Sequence, residues 1–225
     1  MTKFLPIAAL AIAVIAGGGW FLGQGGSTGS GQGLLPGAAQ AQEATEADAS
    51  AVVEMVQGDP DAAVEVIEYA SFTCPHCATF HADQYQQLLE NYIEPGKIRF
   101  VYREIYFDRP GLWASMLARC GGEMRFFGIS EMLYEQQREW LAGGQDPALI
   151  VENLRRIGLT AGMSGEEIDA CMSDGETAAN LVAWFEANAE ADAIRSTPSF
   201  VIDGELFSNM NYTDFAAILD EKLGE

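Results

Sequence analysis

The chain has 225 residues, 48% of them apolar and 20% charged, which is enough to bury a real core and excludes disorder throughout. Its formal charge of −21, from 12 basic and 33 acidic residues, repels phosphate backbones and argues against a nucleic-acid partner or an anionic membrane surface. Eight acidic residues and no basic one lie between Arg156 and Arg195, the pattern of a solvated acidic face.

From Phe4 to Gly23 there is no charged residue, and the single cation Lys3 precedes this stretch. Twenty such residues at a helical rise of about 1.5 Å cover about 30 Å, the hydrocarbon thickness of a bilayer. With Lys3 on the short side, this end is expected to stay in the cytoplasm while everything after it is exported. Residues 1–23 therefore read as a signal peptide or a retained signal anchor. Length favours the anchor, whereas the small-x-small pattern Ala39-Gln40-Ala41 keeps cleavage open. Residues 24–50, rich in Gly, Ser, Ala, Gln and Glu, read as a flexible linker. Their G-x-G spacings have no strand before them, so a dinucleotide reading fails.

The turn Gly58-Asp59-Pro60 leads into a strand-like run from Ala63 to Tyr69. Helical spacing follows from about Pro75 to Ile93 and stops at Pro95-Gly96; Lys97 to Ile105 then alternates like a strand, with Ile98, Phe100 and Tyr102 on one side. From Pro110 to Glu190 the signals are helical. Asp146-Pro147 suits an N-cap and first helical residue, Gly158 sits where that helix would stop, and Ser164 with Glu167 fits a capping box. Strand character returns at Ser199–Ile202, a turn at Asp203-Gly204 leads to Glu205–Phe207, and Thr213 to Leu223 is a final amphipathic helix. The order is β-α-β, a helical block, then β-β-α, an α/β domain made of residues 51–109 and 191–225 with a helical domain, 110–190, inserted into it. Phe126, Phe127, Met132, Leu133, Trp140 and Leu141 recur at helical intervals and read mostly as core.

The sharpest chemical signal is Cys74-Pro75-His76-Cys77, placed after a strand and at the opening of a helix. A helix start presents unpaired N–H groups and partial positive charge, which stabilise a thiolate at Cys74. Pro75 suits the first helical position, and His76 adds a cation or donor beside the sulfur. These effects favour the dithiol form, so the disulfide becomes a strong oxidant, with Cys77 one turn further in as the resolving thiol. Glu68 occupies an otherwise apolar strand; buried there, it would carry a raised pKa and suit proton transfer to and from Cys77. The bland alternative leaves Glu68 facing solvent from an edge strand. A metal site using Cys74, Cys77 and His81 lacks a second ligand pair at zinc spacing, so no metal is expected, and His81 reads as an ordinary surface or site-rim residue. Four cysteines allow three pairings.

The segment from Glu68 to Cys77, together with Thr197-Pro198-Ser199-Phe200-Val201-Ile202-Asp203-Gly204 and the helical stretch between them, resembles the DsbA family of periplasmic thiol:disulfide oxidoreductases. That resemblance runs over roughly residues 52–224 and implies a thioredoxin-like fold with an inserted α-helical domain. It further implies a cis Pro198 facing the cysteine pair, a Thr197 backbone that helps hold an extended substrate strand, and Cys74–Cys77 as the exchanging pair. The remaining pair, Cys120 and Cys171, is then a structural bridge, worth about 4 kcal/mol on the chain-entropy model. Family members commonly pair the buried acid with a lysine, and Arg103 is expected at that place. No cofactor is implied. The partners implied are reduced or unfolded exported client proteins and a DsbB-like quinone-coupled membrane reoxidant, with the enzyme a monomer in the periplasm, tethered to the inner membrane if residues 4–23 are kept. Rival readings are an isomerase or reductase on the same fold, or a non-catalytic metal-binding or client-holding module.

Overall fold

A computed structural model of the chain describes residues 47–144 and 146–225. The signal or anchor expected at residues 1–23, and the linker up to residue 46, lie outside the described residues. The last part of that expected linker is ordered. Asp48 caps a short 3-10 turn, Ala49–Ala51, and its backbone N–H donates to Asn180 Oδ1 at 2.7 Å.

Among the described residues, five strands form one mixed sheet: β1 (Met55–Gly58), β2 (Val64–Ala70), β3 (Ile98–Glu104), β4 (Ser199–Ile202) and β5 (Glu205–Ser208), in the spatial order β1-β3-β2-β4-β5. β2 and β3 run parallel; the other three pairings are antiparallel. The edge strand β1 was not anticipated from the sequence, because four residues with only Met55 fully buried carry almost no alternation. It ends where Gly58 turns with φ +85°, and a Cβ there would sit 2.3 Å from the Ile98 carbonyl oxygen, so only glycine fits the approach to β3.

After β2 the chain makes a short turn and starts helix α1 (Pro75–Phe80), which continues without a break through a π-helical turn, His81–Tyr85, the single turn α2 (Gln86–Leu88) and a second π-helical turn, Leu89–Ile93. Its inward face, with Cys77, Phe80, His81, Tyr85, Leu88 and Tyr92, packs on the sheet face carrying Val64, Val66, Phe100 and Tyr102. The wider π turn carries two successive residues, Phe80 and His81, into the interior. On the same side lies the last helix, α9 (Tyr212–Leu223), where Phe215 meets Phe80 and Phe200.

Between β3 and β4 come six helices: α3 (Arg109–Cys120), α4 (Glu123–Glu135), α5 (Gln137–Trp140), α6 (Pro147–Thr160), α7 (Gly165–Met172) and α8 (Gly175–Ala191). The expected caps are present. Asp146 accepts from Ala148 N ahead of Pro147, and both halves of the Ser164–Glu167 box are formed, at 3.2 and 2.7 Å. Gly158, expected as a helix stop, lies instead inside α6. A Cβ there would come within 2.8 Å of Ile168 and 2.9 Å of Leu117, so this glycine permits close packing of α6 against α7 and α3. Cys120 and Cys171 are joined, tying α3 to α7. The sheet and the helices meet at Arg119, whose guanidinium makes two 2.6 Å bonds to the buried Glu104 of β3 and lies 5.6 and 5.1 Å from the rings of Phe126 and Trp184.

Candidate active site

Cys74 is the N-cap of α1, with extended backbone (φ −82°, ψ 119°), and Pro75 takes the first helical position. That junction is held from several sides. The Cys74 N–H donates to the Ser71 carbonyl at 3.0 Å, closing the turn after β2. Phe72 is buried against Tyr102 and Tyr134, with ring centroids 5.7 and 5.2 Å away. From α5, Gln137 sends its amide nitrogen to the carbonyls of Phe72 (2.9 Å) and Cys74 (3.0 Å). Gln137 sits in the polar run Glu135-Gln136-Gln137-Arg138, where nothing in the local pattern marks it as buried, so sequence reasoning missed this clamp.

Both cysteines are thiols, and their surroundings differ sharply. Cys74 is 9% exposed, far less open than an attacking client would suggest, whereas Cys77 is fully buried. The Cys74 thiol is lowered to about 5, first by the bond donated from the Cys77 thiol, then by Thr197 and the N–H groups of Cys77 and His76, against the opposing effect of burial. Cys77 is pushed far up, by burial above all, then by Cys74 and by the charge of Glu68. Pro75 and His76 lie exposed at the rim, and the backbone N–H of His76 is among the groups that favour the Cys74 thiolate. Across from the pair, the Thr197–Pro198 bond is cis, and the Cys74 Sγ lies 3.5 Å from the Thr197 carbonyl oxygen.

Glu68 does not face solvent. β2 is the central strand of the sheet, and Glu68 is wholly buried. The pairing expected with Arg103 is absent for a geometric reason: Glu68 lies opposite Tyr102 and Tyr69 opposite Arg103, so acid and guanidinium occupy opposite faces of the sheet. Arg103 bonds Glu54, the Tyr69 hydroxyl (2.8 Å) and Asp192 (3.3 Å). The partner of Glu68 is His81, whose Nε2 is 3.1 Å from each carboxylate oxygen. His81, expected at the surface or rim, is 7% exposed and stacks on Tyr134 with centroids 4.1 Å apart. Spacing held the clue: Cys77 and His81 are four apart and share a helix face.

A low-pKa sulfur at a helix start, a buried high-pKa sulfur one turn later and a buried carboxylate behind them suit attack on, and release from, a sulfur–sulfur bond.

The thioredoxin family model matches residues 50–221. A Rickettsia bellii relative that carries the name of a protein-disulfide oxidoreductase is 32% identical over 173 residues, covering 76% of this chain and 65% of the relative. The chain thus spans a little under two thirds of that relative's length. The disulfide bond formation protein D of Bacillus subtilis is 24% identical over 196 residues, covering 82% of this chain and 83% of that one. Among solved structures, alpha-DsbA1 of Wolbachia pipientis superposes with a TM-score of 0.70 at 25% identity, over 76% of this chain and 91% of that chain.

Proposed function

The chain belongs to the thioredoxin family, among its DsbA-like thiol:disulfide oxidoreductases, and from that premise we propose that it is an exported oxidase donating a Cys74–Cys77 disulfide to reduced client proteins. The observation that carries the direction is the asymmetry of the pair. The Cys74 thiolate is stabilised by the helix start, by Thr197 and by the Cys77 thiol, so the reduced enzyme is favoured and its disulfide is readily given away. A client thiolate attacks Cys74; the Cys74–Cys77 bond breaks as the client–Cys74 bond forms, and Cys77 leaves as a thiolate and takes up a proton. A second client thiolate then attacks its own sulfur in the mixed disulfide, so the client leaves oxidised and Cys74 leaves as its stable thiolate.

In this reading Thr197, whose carbonyl lies beside the Cys74 sulfur, and the cis Pro198 that follows it hold the client chain beside the sulfur. Export to the periplasm is supported by the uncharged stretch from Phe4 to Gly23 and by the Cys120–Cys171 bridge, a bond that persists in oxidising compartments. Such an oxidase ends each cycle reduced and needs a membrane reoxidant of the DsbB-like, quinone-coupled kind.

Replacing Cys77 by Ser removes the resolving thiol, and the expected outcome is client adducts on Cys74, seen as thiol-sensitive bands of higher mass. No adducts in cells expressing C77S would overturn exchange. Alkylation trapping of the wild-type chain in cells reads the direction: a mostly oxidised Cys74 is expected, and a mostly reduced one would point to a reductase or isomerase.

A further inference from the structure

Between helix α1, with its continuation through α2, and helix α4, a cavity of about 450 Å³ is lined by Ala78, His81, Ala82, Gln86, Glu131, Tyr134 and Glu135. Its inner wall includes the His81 ring, which hydrogen-bonds the wholly buried Glu68. The hydroxyls nearest Glu68 are committed elsewhere: those of Tyr102 and Tyr134 bond each other, and that of Tyr85 bonds Gln57. Among the described residues, His81 is the group that bonds the carboxylate. Cys77 and His81 lie one turn apart on the inward face of one continuous helix, and both face the Glu68 side of the sheet.

We propose that His81 is a positioning and relay residue, carrying protons between water in this cavity and Glu68, which exchanges them with Cys77. The inference rests on the exchange activity proposed above and names the route that activity uses. When the Cys74–Cys77 bond is reduced, Cys77 leaves as a thiolate and receives the proton of the Glu68 carboxyl; His81 returns a proton to Glu68 and takes one from the cavity. When Cys77 attacks a mixed disulfide on Cys74, its proton passes to Glu68 and out through His81, and the displaced thiolate departs. The relay neither gains nor loses electrons. Cys77 is fully buried, so the cavity beyond His81 supplies the solvent this thiol otherwise lacks. The titratable and charged groups facing His81 are Glu68 from β2, Tyr102 from β3, Tyr134 with Glu131 and Glu135 from α4, and Cys77 and Tyr85 from its own helix.

The test uses the full chain carrying glutathione on Cys74, with resolution by Cys77 followed by stopped flow as the imidazole buffer concentration is raised. Wild type should resolve at a rate independent of imidazole. His81→Gln can still donate a hydrogen bond to Glu68 but neither releases nor takes up a proton near neutral pH; it should resolve about tenfold or more slowly and recover as imidazole increases. Ala82→Leu, which narrows the cavity while leaving His81 in place, should also slow resolution, and it keeps the proposal testable if His81→Gln does not fold. His81→Gln resolving at the wild-type rate, or resolving slowly with no response to imidazole, would overturn the relay while leaving exchange standing. A wild-type chain that never resolves the adduct would overturn exchange and the relay together.

Discussion

The chemistry rests on one sulfur being acidic and its neighbour not. With Cys74 lowered to about 5, alkylation of the reduced chain by iodoacetamide should rise with pH to a half-maximum near 5, while Cys77 stays unreactive across the neutral range. A half-maximum near 9, the ordinary value for a thiol, would remove the basis of the oxidase reading. The same shift appears in stability. A group whose folded pKa lies below its unfolded value contributes stabilisation that is full above the unfolded value and is lost as pH falls through the folded one. The reduced chain should therefore gain stability against urea relative to a Cys74→Ser variant as pH rises from about 5 to about 9. Above that window Cys77 works the other way, because the unfolded chain ionises a thiol that the folded chain keeps protonated.

At the scale of elements, strand register and helix packing decide which groups meet. The parallel register of β2 on β3 sets Glu68 beside Tyr102 and leaves Arg103 on the far face, where it joins Tyr69, Glu54 and Asp192. A shift by one residue would exchange those partners, since side chains alternate with period two. Helix α6 shows the same dependence on contact. Gly158→Val would push a branched side chain into Ile168 and Leu117, which are buried and have little room to retreat, and should cost about 1–3 kcal/mol, read as a lower urea midpoint with the slope unchanged. Gly158 does not have a positive φ, so the cost comes from these crowded contacts and not from backbone strain.

For the whole molecule, the helical segment between β3 and β4 is closed on itself by Cys120–Cys171, across 51 positions of sequence, and fastened to the sheet by Arg119 on Glu104. Removing the bridge with Cys120→Ala and Cys171→Ala together should lower stability by about 4 kcal/mol on the chain-entropy model, while the pH profile of Cys74 alkylation stays where it was. A shifted profile would mean that the bridge also shapes the active turn. Much of this protein was legible from local signals. The β-α-β opening, the helical block, the Asp146 and Ser164 caps and the cysteine pair at a helix start depend on residues within a few positions of one another. Hydrophobic period and capping chemistry act over that same short range, so the sequence alone determined them. What it left open needed groups distant along the chain to meet: Gln137 on the carbonyls of Phe72 and Cys74, Gly158 against Ile168 and Leu117, β1 on β3, and His81 in place of Arg103 on Glu68. Only the tertiary structure decided those, because the face of a strand turns over with a single step in register, and a polar side chain can be buried only where another element supplies its partner.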